Sequence, residues 1–185
     1  MKKISALILT VLMIVACFTA CGDTQQEPEN GMPTNTDLGA FTTVDIEGKT
    51  VDASVFEGKK LTMINIWATF CSPCIGEMPD LERLNNEYAD KGFQVIGIVC
   101  DVSYVGDVYE ESLLNSAMDI VKETGVTYLN LLPSESLDAI KLSEVYSVPE
   151  TIFVDEDGNI IGDSFIGSRS YESWKEIIDD ILETM

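Results

Sequence analysis

Apolar positions along the chain fall into two kinds of run. Leu61 to Trp67 and Phe93 to Cys100 are nearly continuous and rich in branched or aromatic residues, which predicts buried central strands. Between them Ile75, Met78, Leu81, Leu84 and Tyr88 recur every three or four residues, which predicts a helix with one buried face, stopped near Gly92. Strand, helix and strand in this order predict parallel neighbours joined by a right-handed crossover. Upstream, "FTTVDI" and "TVDASVF" are short extended segments joined across "EGK", a β-hairpin pattern. Downstream, a looser stretch at 101–109 leads into a helix near 110–124, with Leu114, Ala117, Met118 and Val121 at helical spacing and Gly125 at its end. "TYLNLL" reads as a short strand, "SESLDAIKLSEVY" as a short helix, and "ETIFVDEDGNIIG" as a hairpin turning at Asp157-Gly158. The last helix opens at Ser170, a favourable N-cap, with Tyr171, Trp174, Ile177, Ile178, Ile181 and Leu182 along one face. No internal repeat is present. The pattern predicts an α/β fold, a mixed sheet covered by helices.

The first residues follow a different pattern. Lys2 and Lys3 precede an apolar run from Ile4 to Phe18, broken only by Ser5 and Thr10. A spanning helix needs about 20 apolar residues, so the run predicts a secretory signal peptide over 1–20, with an uncleaved anchor as the alternative. "IVAC" and "FTAC" both resemble the lipobox of bacterial lipoproteins, in which the cysteine is lipidated and becomes the new N-terminus. Cys21 is favoured over Cys17 because the polar run "GDTQQEPENGMPTNTD" follows it at once. Residues 21–37 then form a lipidated tether, and 38–185 the folded domain. Either reading places that domain outside the cytoplasm, on the outer face of the bacterial cell membrane, where disulfides persist.

Composition narrows the chemistry. The length of 185 residues suits one domain with a real core. A formal charge of −21 argues against nucleic acid as a partner and reads as a solubility property. The chain has five cysteines and no histidine. The missing histidine removes much metal and acid–base chemistry.

Cys71 and Cys74 stand two residues apart in "ATFCSPCIGEMP". A structural zinc site needs four soft or imidazole ligands, and the chain has no second Cys-x-x-Cys. A purely structural disulfide across two residues closes a very small loop and gains little. A redox pair remains. The motif ends a buried strand and opens a helix, so Cys71 would sit at the helix N-terminus, where free N–H groups and the dipole stabilise a thiolate. Pro73 fits the first helical turn, where its missing N–H is not needed. Cys74 would lie a turn further in and be shielded. Cys71 is therefore the expected nucleophile and Cys74 the resolving thiol.

"INIWATFCSPCIGEMPDLERL" resembles the active-site block of the TlpA/ResA-like branch of the thioredoxin superfamily, and the similarity extends over roughly 38–185. The resemblance implies a thioredoxin-like fold with an N-terminal β-hairpin and an inserted helix and strand. It matches Pro149 to a cis-proline that faces the cysteines and helps hold an extended substrate, so that Val148 precedes a cis bond. Pro79 matches a proline that kinks the active-site helix. Ser72, Pro73, Val148 and Pro149 are the implied substrate-binding residues, with Trp67 and Phe70 shaping the docking surface or serving as plain core aromatics. Thioredoxins proper carry a buried Asp six residues before the first cysteine; here Asn65 stands there and cannot accept a proton. Glu77 matches a glutamate of the ResA-like branch, three residues after Cys74, and is the implied substitute; an ordinary solvated carboxylate is its alternative. The small residue usual between the family's valine and proline is missing, because Val148 abuts Pro149. Cys100, ending the second strand, is expected to be an inert buried thiol, with a third redox thiol as the alternative.

The implied activity is an extracytoplasmic protein-disulfide oxidoreductase that needs no cofactor and no metal. Its implied partners are disulfide-containing secreted proteins or apocytochrome c, with a membrane-embedded thiol reductant of the cytochrome-biogenesis type as electron donor. Ser72-Pro73 places no charge between the cysteines, which favours a reductase. A peroxiredoxin-type peroxidase needs a threonine or serine three residues before its cysteine, where Ala68 stands, and a proline seven before, where Ile64 stands. A copper-delivering module needs a histidine. A non-catalytic lipoprotein sits badly with an intact Cys-Ser-Pro-Cys.

Overall fold

The computed structural model describes residues 37–185. The expected signal peptide over 1–20, Cys17, Cys21 and nearly all of the expected tether lie outside the described residues.

The first apolar run forms β3, Leu61–Trp67, with all seven residues buried. It is the middle strand of a five-stranded sheet ordered β7-β4-β3-β8-β9. Here β4 is Phe93–Val99, β7 Leu129–Leu131, β8 Glu150–Val154 and β9 Ile160–Ile166. β3 runs parallel to β4 and antiparallel to β8; β4 runs parallel to β7, and β8 antiparallel to β9. A strand covered on both faces is largely apolar, here with Thr62 and Asn65 as its buried polar residues, and side chains of β3 alternate between two cores. Leu61, Met63 and Trp67 join the core under α1 (Ser72–Tyr88), α2 (Glu111–Thr124) and α4 (Tyr171–Thr184). Ile64 and Ile66 join the opposite core, which Leu38, Phe41, Phe56 and Leu137 of α3 (Glu135–Ile140) complete. This is the thioredoxin-like, mixed-sheet α/β architecture. β1 (Thr42–Val44) and β2 (Thr50–Asp52) form the expected N-terminal antiparallel pair.

Three elements differ from the sequence reading. Ala53–Phe56 is a 3-10 turn and not a continuation of β2, because Asp52 accepts from the Ser54 N–H at 2.9 Å and Phe56 turns into the core. The loose stretch contains a small hairpin, β5 (Tyr104–Val105) with β6 (Val108–Tyr109), turning at Gly106. β9 continues past Gly162 to Ile166.

The two sheet edges differ. β7 is bordered by the N-terminal segment, where Ile46 N donates to Asn130 O at 3.0 Å and Leu132 N to Val44 O at 2.9 Å. β9 is the other edge; its register against β8 shifts between Thr151 and Phe153, and its Gly162 adopts a left-handed φ of 69°.

Candidate active site

The site is built where β3 ends. Thr69 fixes the turn after Trp67: its N–H and hydroxyl both donate to Asp101, at 3.0 and 2.6 Å. Cys71 then caps α1, and its Sγ accepts from the Cys74 N–H at 3.3 Å. This donor is one of the helix-start N–H groups left without a backbone partner. Cys71 and Cys74 are joined as a disulfide with Cα atoms 5.3 Å apart. Cys74 is fully buried, whereas Cys71 keeps 6% exposure. The order of access is the expected one, but Cys71 is far more covered than a helix-capping position implies, because it joins the core around Trp67 and Met78.

Opposite lies the Val148–Pro149 peptide bond, which is cis. β3 pairs Ile66 with Glu150, so one further step of the register brings Pro149 level with Trp67. Phe70, at 76% exposure, and Tyr146, at 90%, are large apolar side chains in the segments leading to Cys71 and Pro149. Trp67 does not belong to that surface. It is fully buried, and its indole N–H donates to Asn130 Oδ1 at 3.0 Å. The docking role expected of Trp67 is therefore corrected to a core role beneath the site.

Glu77 is not a solvated helix carboxylate, since only 3% of it is exposed. Its Oε1 accepts from Asn65 Nδ2 at 3.0 Å, and its Oε2 from Arg169 N at 3.1 Å and Trp174 Nε1 at 3.2 Å. Burial pushes its pKa up, and these three donors with the Arg169 charge hold it back in part. Asn65 Nδ2 also reaches Thr151 Oγ1 at 3.1 Å, while Asn65 Oδ1 and the Tyr128 hydroxyl are buried with no partner. Cys100 is half-buried, and burial, helped by the Asp101 charge, pushes its thiol up to about 11. Such a thiol stays protonated at neutral pH.

Several supporting residues escaped sequence reasoning. Asn130 holds Trp67, and Gly97 leaves it room: a Cβ on Gly97 would lie 2.1 Å from Asn130 Oδ1. Lys141 and Glu150 form a buried ion pair at 2.5 Å, immediately after Pro149. A charged residue opening an otherwise apolar strand was the available signal for Glu150. A cleft of about 800 Å³ between β1, the β5–β6 hairpin and the start of α3 contains none of the expected site residues. Among the described residues, no group of three or more His, Cys, Asp or Glu side chains is arranged to hold a metal, and no helix is long and apolar enough to cross a membrane.

Comparison with known proteins follows the same lines. The family model described as Redoxin matches residues 27–170. The chain belongs to the Redoxin family. It is 25% identical over 185 residues to "Thiol-disulfide oxidoreductase ResA" of Bacillus thuringiensis subsp. konkukian, covering 98% of this chain and 99% of the relative. It is 30% identical over 139 residues to "Thiol:disulfide interchange protein DsbE" of Vibrio cholerae, covering 75% of this chain and 66% of the relative. A crystal structure of a thioredoxin-family thiol:disulfide interchange protein from Chlorobium tepidum superposes with a TM-score of 0.63 at 23% identity, over 80% of this chain and 96% of that one. Within the Redoxin family this chain is a ResA-like, thioredoxin-fold thiol-disulfide oxidoreductase.

Proposed function

We propose that this oxidoreductase works outside the cytoplasm as a reductase of protein disulfides, with Cys71 attacking and Cys74 resolving. The observation that carries the assignment is the N-cap: Cys71 Sγ receives the Cys74 N–H at 3.3 Å and keeps some exposure, while Cys74 has none. In the reduced protein the same N–H and the helix dipole favour a thiolate at Cys71. That thiolate attacks one sulfur of a substrate disulfide; a Cys71–substrate bond forms, and the other substrate sulfur leaves and takes a proton. Cys74 loses its proton to Glu77, directly or through one water, and its sulfur attacks Cys71. The mixed disulfide breaks, the second substrate thiol departs, and the Cys71–Cys74 disulfide remains. Two electrons have passed from the pair to the substrate.

Phe70, Ser72, Pro73, Val148 and Pro149 border the substrate in this reading, with the exposed Phe70 giving apolar contact. Ser72-Pro73 adds no charge that would stabilise the reduced form and make the protein an oxidant, which supports the reductase direction. A membrane-embedded thiol reductant re-reduces the pair, and the substrates are secreted protein disulfides or apocytochrome c. Residues 1–20 are removed, Cys21 carries the lipid that holds the protein at the outer face of the cell membrane, and 21–37 is the tether to the domain. Cys21→Ser would then release the protein from membranes or leave an unprocessed precursor, while Cys17→Ser would not; a diacylglyceryl group found on Cys17 by mass spectrometry reverses that choice.

The deciding experiment compares two variants. Cys71→Ser should lose disulfide reduction, and Cys74→Ser should accumulate mixed disulfides with substrate. Mixed disulfides on Cys71→Ser would exchange the two roles. A glutathione equilibrium in which the reduced protein dominates would make it an oxidant.

A further inference from the structure

The turn between β9 and α4 makes contacts at both halves of the site. Gly167 N donates to Pro149 O at 2.9 Å. Two residues on, Arg169 N donates to Glu77 Oε2 at 3.1 Å. The Arg169 guanidinium folds back over the same turn, with Nη1 donating to Gly167 O at 2.8 Å and to Ile166 O at 3.3 Å. It also lies 5.0 Å from the ring centroids of both Phe165 and Trp174. Trp174 Nε1 is the other donor to Glu77 Oε2.

A guanidinium is a rigid planar fork, and its cation–π contacts with two rings add to the seat that the carbonyls give it. Clamping the Ile166 and Gly167 carbonyls fixes the peptide planes that carry Gly167 N and Ser168 N, and so holds the turn that presents the Gly167 and Arg169 N–H groups. One of those N–H groups holds the cis-proline segment. The other helps decide where the lone pairs of a buried carboxylate face. A proton acceptor works only within hydrogen-bond reach of its donor, so the direction of that carboxylate matters as much as its charge.

We propose that Arg169 is a positioning residue that ties the Glu77 carboxylate to the Val148–Pro149 segment, so that seating an extended substrate and removing the Cys74 proton depend on one clamped turn. The inference deepens the proposed function and rests on the roles given there to Glu77 and Pro149. It predicts that a single side chain touching neither cysteine governs both substrate engagement and resolution.

The test uses a peptide disulfide substrate in stopped flow, reading the concentration dependence of mixed-disulfide formation and the rate of its resolution separately. Arg169→Met keeps the apolar stem and loses the donors and the charge. It should weaken engagement and slow resolution, each by roughly 2- to 30-fold, the usual range for changes within a coupled network. Arg169→Lys keeps the charge and should recover part of both. In a Glu77→Gln background Arg169→Met should still weaken engagement but slow resolution no further. A folded Arg169→Met protein with both steps at wild-type values overturns the proposal, as does slowed resolution that persists undiminished in the Glu77→Gln background. Should Arg169→Met fail to fold, Arg169→Lys must show the paired loss at smaller size, and wild-type behaviour overturns the link. Glu77→Gln alone with an unchanged resolution rate strikes instead at the assignment of Glu77 as proton acceptor.

Discussion

The side-chain amide of Asn65 donates to Glu77 Oε1 at 3.0 Å, so the central strand grips a carboxylate carried by the active-site helix. Asn65 therefore supports the acid of the neighbouring helix and does not itself exchange a proton. Glu77→Gln should slow resolution of the mixed disulfide by roughly 10- to 100-fold near neutral pH, the ordinary size of a general-base contribution, and leave the first attack little changed. The variant should fold, because the unpaired Asn65 Oδ1 can turn to accept from the new amide.

The same variant separates folding from chemistry through pH. Burial raises the Glu77 pKa above its ordinary 4.5, so the native state holds that proton more tightly than the unfolded chain. The stabilisation is fully present below 4.5 and is lost as pH rises through the raised native value. Urea unfolding over this window should show wild-type stability falling with pH, and Glu77→Gln should lack that component. Parallel curves for the two proteins would mean that Glu77 is no more basic than a free carboxylate.

Cys100 should stay unmodified by iodoacetamide at neutral pH in the reduced protein while Cys71 is alkylated. Its thiol, pushed up to about 11, supplies almost no thiolate there. Peptide mapping reads the outcome, and prompt labelling of Cys100 in the folded state would contradict it.

Lys141 and Glu150 bracket the segment that carries Tyr146, Val148 and Pro149, and both side chains are almost fully buried. Lys141→Met strands a buried carboxylate and should destabilise by about 3–5 kcal/mol, whereas replacing both residues by Met should cost far less. Urea titration of the two variants tests the difference. Equal losses would mean that the pair is not desolvated.

Gly97→Ala should destabilise by about 1–3 kcal/mol, because its Cβ displaces Asn130 and leaves the buried Trp67 N–H without an acceptor. Chemical unfolding gives the cost, and a neutral substitution would show that Asn130 has another seat.

Legibility in the sequence followed the length and regularity of each signal. β3, α1 and β4 were plain because seven-residue apolar runs and a four-turn stripe outlast local noise. The β5–β6 hairpin was invisible because two-residue strands have no period to read. The Cys71–Cys74 pair stands out as a local motif, whereas Pro149 is marked only by the family resemblance. Trp67 had two readings, docking surface or core, because an aromatic beside a motif looks the same in sequence in either place; its burial selects the core. Asn130 and Gly97 support Trp67 through contacts between residues distant in the chain, and Arg169 meets Glu77 only through a backbone N–H, which a local side-chain pattern cannot encode.

The unlike edges of the sheet bear on how the protein behaves among its own copies. A bare strand edge offers a row of unpaired N–H and C=O groups on which another chain can add. Here β7 is occupied by the backbone around Val44 and Ile46, while β9 presents a broken register and a left-handed glycine. Neither side gives an incoming strand a straight template. Protection from edge-to-edge aggregation is thus written into backbone geometry, and it would persist in salt strong enough to screen the acidic surface.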